Sequence, residues 1–74
     1  MKMAMLNQVM GQRGFWTGKA HRFIARSDEE YHRFMRVAAM LESKPKNERI
    51  RWWTRGSTKS EKNALVPYVD IAMH

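Results

Sequence analysis

The sequence predicts an α+β domain in which one amphipathic helix packs on a small antiparallel sheet in the order β-α-β-β. Three observations predict it. A capped stretch of helical periodicity covers residues 28–43, two β-rich stretches flank a turn-rich segment after it, and an extended stretch precedes it. With 74 residues there is room for one core, so residues 1–74 are expected to form a single small basic domain.

The helix is the clearest element. Ser27, Asp28, Glu29 and Glu30 match a capping box, in which the serine hydroxyl accepts from the backbone three residues on and the glutamate reaches back. The acids also face the positive end of the helix dipole. Tyr31, Phe34, Met35, Ala38 and Leu41 then recur on one face, with His32, Arg33 and Arg36 opposite, which is the pattern of a helix half buried on a core. Met40 falls on the polar face, and Pro45 requires the helix to stop by about Ser43.

Beyond it, Arg49–Arg55 (RIRWWTR) and Ala64–Met73 (ALVPYVDIAM) are rich in β-branched and aromatic residues, and the intervening GSTKSEKN is turn-like, so the pair reads as a hairpin with a long basic loop. In the second strand Leu65, Val69, Ile71 and Met73 share one parity and are expected to face the core, while Pro67 suggests an edge or a bulge. In the first, burying Ile50, Trp52 and Thr54 spares Arg51 and Arg55 from desolvation, which turns Arg51, Trp53 and Arg55 outward. A hairpin symmetric about its loop then pairs Arg55 with Ala64, Trp53 with Val66, Arg51 with Tyr68 and Arg49 with Asp70.

Upstream, Phe15–Ala25 (FWTGKAHRFIA) reads as extended, its broken alternation repaired by a bulge near Gly18. The Met-rich opening is compatible with an additional N-terminal strand, a helical turn or a mobile tail.

Charge points to the class of partner. Fourteen Lys and Arg stand against seven Asp and Glu, a net charge of +7. The bases gather in residues 1–26, which hold no acid, and in residues 44–62, with Lys44, Lys46, Arg49, Arg51, Arg55, Lys59 and Lys62. This balance favours polyanions. With no cysteine there is neither a disulfide framework nor a thiolate zinc site, which fits a cytoplasmic protein. No apolar run approaches the roughly 20 residues of a membrane span, and the opening is too short and polar for a signal peptide. His21, His32 and His74 lack metal-ligand spacing such as HxxxH, even though His74 has a carboxylate, Asp70, four residues away, so neither metal nor cofactor is expected. No nucleophile elbow, phosphate loop or dinucleotide fingerprint is present.

These features predict a non-enzymatic nucleic-acid-binding protein. Bases stack on exposed aromatics and guanidinium groups pair with phosphates in binders of RNA and single-stranded DNA. The expected binding residues are Arg49, Arg51, Trp53, Arg55, Lys59, Lys62 and Tyr68, with the 56–63 loop holding phosphate. Two readings from other classes compete. One is a small regulator or inhibitor that docks on a larger acidic protein, as tiny proteins of mobile elements do. The other is a minimal RNase working with Arg, Lys, His and Tyr alone.

Overall fold

A computed structural model describes residues 3–73. Two helices and four strands follow in the order α1 (Met3–Met10), β1 (Phe15–Trp16), β2 (His21–Ile24), α2 (Asp28–Glu42), β3 (Trp52–Lys59) and β4 (Leu65–Ala72). The strands form one antiparallel sheet in the order β1-β2-β4-β3. The α+β class stands as expected, with one helix more than the sequence predicts.

α2 begins with the serine half of its expected capping box, while the returning Glu30 bond goes to the residue before the N-cap. Ser27 is extended, and its hydroxyl accepts from the Glu30 N–H at 3.1 Å. The Glu30 carboxylate reaches back to the Arg26 N–H at 2.7 Å and grips the Arg26 guanidinium at 2.9 Å. Those bonds, led by the side chain of Arg26, hold the Glu30 carboxyl below its ordinary value. Phe34, Ala38 and Leu41 are fully buried, and Ser43 caps the far end by donating its N–H to Met40.

The N-terminal residues form a helix and not a strand. Leu6 and Met10 lie one turn apart and are both buried, so α1 joins the core by one narrow face. Met1, Lys2 and His74 lie outside the described residues.

The segment expected as one bulged strand is instead a hairpin, β1 and β2. Gly18 takes φ +101° in the turn between them, a conformation that side-chain-bearing residues rarely adopt. The Thr17 hydroxyl closes this turn, accepting from Ala20 N–H at 3.2 Å and donating to Ala20 C=O at 3.1 Å.

The core lies between one face of the sheet and both helices. Phe23, Val69 and Ile71 point from β2 and β4 into a cluster with Leu6, Met10, Phe34, Ala38 and Leu41, and the Phe23 and Phe34 rings meet edge to face at 6.1 Å. The odd residues Val69 and Ile71 of β4 are buried as expected. Leu65 is not: β2 covers β4 only over Tyr68–Ile71, so the far half of the β3–β4 hairpin projects as an arm and leaves Leu65 72% exposed.

The expected hairpin register is overturned. Trp53 pairs with Ile71, Arg55 with Val69, Gly56 with Tyr68 and Lys59 with Leu65, so GSTK is strand and the turn is confined to residues 60–64. An odd displacement exchanges the faces of a strand. Trp53 and Arg55 therefore lie on the helical side, and Trp52 and Thr54 on the other. The physical reason is a break at Arg51: its N–H donates to Ala72, the residue opposite Trp52, so alternation does not run through it and Ile50 and Trp53 both face the core. Arg55 escapes desolvation on that side because it stays exposed at the core margin, where its guanidinium reaches Met35 Sδ at 3.4 Å.

Candidate nucleic-acid interface

Both helices cover one side of the sheet, so the other carries its own lattice of side chains. Register places Phe15, Arg22, Asp70 and Thr54 in one row across the four strands, with Ile24, Tyr68 and Gly56 in the next row and Ala72 and Trp52 on the opposite flank. Arg22 is the centrepiece. Its Nε and Nη2 donate to the two carboxylate oxygens of Asp70 at 2.8 and 3.0 Å, and its guanidinium carbon lies 3.8 Å from the centroid of the Tyr68 ring. The bidentate geometry is the strong form of this pairing. Asp70, expected opposite Arg49, is thereby buried at 7% exposure beneath Arg22. The bond to Asp70 raises the Arg22 pKa further, against the opposing effect of burial.

Tyr68 can lie flat because Gly56 stands opposite it. A Cβ at Gly56 would come 2.5 Å from the Tyr68 hydroxyl oxygen, closer than side chains pack. Tyr68 lies on this helix-free face, and its neighbours are Arg22 and Gly56 and not the expected Arg51. Two exposed aromatics flank this stack on the same face, Phe15 at 50% and Trp52 at 40% exposure.

Where α2 leads into β3, a groove of ≈ 320 Å³ is lined by Glu42, Lys46, Arg49, Ile50, Arg51, Trp52 and Trp53. Here the expected Arg49, Arg51 and Trp53 do come together, joined by Lys46 and Trp52. Strand alternation turns the successive tryptophans to opposite sides, and the break at Arg51 puts Ile50 on the side of Trp53, so the groove reaches both rings. Trp53 is half-buried against the core, and its indole N–H donates to Glu42 at 2.8 Å. It is a wall of the groove and not a free stacking platform. Trp52 is the more accessible of the two.

The remaining expected residues are dispersed. Arg55 and Lys59 lie on the helical side of β3, Lys59 out on the arm, and Lys62 sits in the turn at its tip. The expected phosphate-holding 56–63 loop is therefore strand over Gly56–Lys59. Arg22, Trp52 and Phe15 are the members that sequence reasoning missed. A signal for Trp52 existed in the adjacency of two tryptophans, one of which must face away from the core in any strand.

A second depression lies at the other end of the sheet, between α1 and the β1–β2 hairpin, lined by Met3, Asn7, Arg13, Gly14, Phe15, Trp16 and His21. The Trp16 and His21 rings meet there at 5.1 Å, and His21 Nδ1 is buried without a hydrogen-bond partner. No three His, Asp or Glu residues converge as metal ligands among the described residues, and no helix among them is long and apolar enough to cross a membrane. Comparison with protein-family models, curated proteins and solved structures gives no significant match.

Proposed function

We propose that this chain binds single-stranded nucleic acid, RNA or DNA, without catalysis. The observation that carries the reading is the groove in which Lys46, Arg49 and Arg51 surround the two tryptophans. Cations and aromatic rings interleaved within one base-sized recess are what a stacked base with its phosphates requires. The groove opens beside a helix-free sheet face on which Tyr68 and Phe15 offer further rings. On that face Arg22 is committed to Asp70, so it braces the Tyr68 ring and leaves phosphate contact to the groove.

The roles divide by chemistry. Lys46, Arg49 and Arg51 hold phosphate, Trp52 stacks a base, and Trp53 with Glu42 fixes the wall against which the base rests. Glu42 also accepts hydrogen bonds, and its position favours bases that present an amino group over phosphate approaching from the α2 side.

The test is a titration of mixed-sequence RNA and DNA oligomers over a range of salt. With three phosphates neutralised, log affinity falls with log salt at a slope of about −2, following roughly −0.7 per phosphate for single strands. Arg51→Ala lowers that slope by under about one unit. Trp52→Ala weakens binding by about 1–3 kcal/mol and leaves the slope unchanged, because stacking releases no counterions. Absence of binding tighter than about 1 mM at low salt, some 4 kcal/mol, rejects the reading.

A further inference from the structure

β3 is the outermost strand, and its far edge has no partner among the described residues. Which of its backbone groups are free follows from the ladders, since in antiparallel sheets the N–H and C=O of successive residues point to opposite sides. The Ala25 N–H donates to Pro67 C=O, in phase with the β2–β4 ladder, so the odd residues of β4 turn to β2 and the even ones to β3. The Ser60 N–H to Ala64 C=O bond continues the β3–β4 ladder in that phase. Thr54, Gly56 and Thr58 therefore bond to β4, whereas Trp53, Arg55, Ser57 and Lys59 direct their backbone groups outward. An edge of this kind is ordinarily shortened, bulged, charged or interrupted by proline; here the break at Arg51 stands before the strand, whose charges are Arg55 and Lys59. From Trp52 to Lys59 this one is eight residues long with no proline.

We propose that this edge pairs with the same edge of a second copy of the chain, antiparallel about a two-fold axis through Gly56, so that one sheet runs through both. Keeping both helical layers on one side requires odd residues to face odd residues across the axis. An axis through Arg55 would oppose Arg55 to its own copy. An axis through Ser57 would oppose Arg55 to the partner's Lys59. With the axis through Gly56, Arg55 meets the partner's Ser57, Trp53 meets the partner's Lys59 and Thr54 meets the partner's Thr58. No cations are then opposed, and the outward backbone groups from Trp53 to Lys59 are all satisfied.

Charge complementarity favours the same register. Glu42 is held against the Trp53 indole at 2.8 Å on the helical side of β3, the side on which the partner's Lys59 stands beside Trp53. Glu42 and Lys59 take part in no ion pair within the described residues. The two-fold axis makes the pairing twice, so the arm that projects beyond the helices in one copy lies beside the end of α2 in the other. This pairing is not inferred from nucleic-acid binding, but the partner's Lys59 would take up the Glu42 carboxylate that borders the groove.

The chain has no cysteine, so introduced thiols report the register without interference. Thr54 and the partner's Thr58 form a pair that is not hydrogen-bonded, with Cβ atoms about 4.5–5.5 Å apart, close enough for a disulfide after small adjustment. Mixed Thr54→Cys and Thr58→Cys chains are expected to oxidise to a covalent heterodimer roughly tenfold or more faster than either variant crosslinks alone, since pairing makes the reaction intramolecular. Equal rates overturn the register. Sedimentation of nuclease-treated protein is expected to give twice the 8.8 kDa of one chain, and a single-chain mass at every attainable concentration overturns the dimer. Ser57→Pro removes an outward N–H without touching the β4 ladder, and is expected to sediment as a monomer with an unchanged circular dichroism spectrum. Should that variant unfold, Lys59→Glu decides: it is expected to be monomeric, and the added Glu42→Lys is expected to restore the dimer. Lys59→Glu dimerising as the native chain does would overturn the proposed ion pair.

Discussion

Arg22 and Asp70 stand directly opposite one another on β2 and β4 and share two hydrogen bonds of 2.8 and 3.0 Å, the aspartate 10% and the arginine 25% exposed at the side chain. Removing one member strands the other. Arg22→Ala is expected to cost about 2–3 kcal/mol, below the upper range for buried pairs because water still reaches the arginine. Arg22→Lys recovers only part, since an ammonium cannot present the two-pronged fork. Urea unfolding of both variants measures the difference, and equal stability of Arg22→Ala and the native chain would dismiss the pair as structurally idle.

Gly56→Ala tests the flat seating of Tyr68. The added methyl meets the ring and its hydroxyl, forcing the tyrosine off its resting place at an expected cost of about 1–3 kcal/mol. In a Tyr68→Ala background the same change should cost little, because the obstacle is gone. A double-mutant cycle by chemical denaturation reads this coupling.

The two tryptophans should part in stability and binding, in the opposite sense to strict alternation from Ile50. Trp53→Ala, removing a half-buried indole and its bond to Glu42, is expected to cost about 2–3 kcal/mol in a thermal or urea melt. Trp52→Ala should change stability by under about 1 kcal/mol while carrying most of the loss in oligonucleotide affinity. The reverse order in the melts would contradict the register of β3.

Acid should selectively loosen the start of α2. The Arg26 side chain leads the interactions that depress the Glu30 pKa below its usual value of 4.5, so the resulting stabilisation is complete above that value. It is lost as the pH falls through the lower folded-state value. Glu30→Gln is expected to lower stability by about 0.5–1 kcal/mol at neutral pH, the exposed Arg26 being screened. Melts repeated down a pH series should show native and variant converging below about pH 4.5; a constant gap would assign the effect to something other than charge.

How far the sequence specifies this fold depends on the range of the interaction concerned. α2 was legible because its cap, its acids and its apolar stripe all lie within sixteen residues, each reporting on the same local geometry. The core parity of Val69 and Ile71 was legible for the same reason. The turn between β3 and β4 was not, because polar Gly56–Lys59 has little intrinsic strand preference and becomes strand only by pairing with Leu65–Tyr68. Arg22 was out of reach altogether. Its partner lies forty-eight positions away on a strand that is not its neighbour in sequence, and no local pattern encodes such a pairing. The groove was half visible: its cations cluster in sequence, but the break at Arg51 that puts Ile50 and Trp53 on the same side leaves no residue signature.

β4 is the last strand in chain order and yet lies inside the sheet, between β2 and β3. Phe23 and its neighbours on β2 thus have no sheet partner on that side until Val69 and Ile71 arrive. A chain emerging from the ribosome can wind α2 early, but it cannot close its core until Val69 and Ile71 of β4 have been made. Until then the apolar face of α2 is exposed to whatever helper proteins attend the nascent chain.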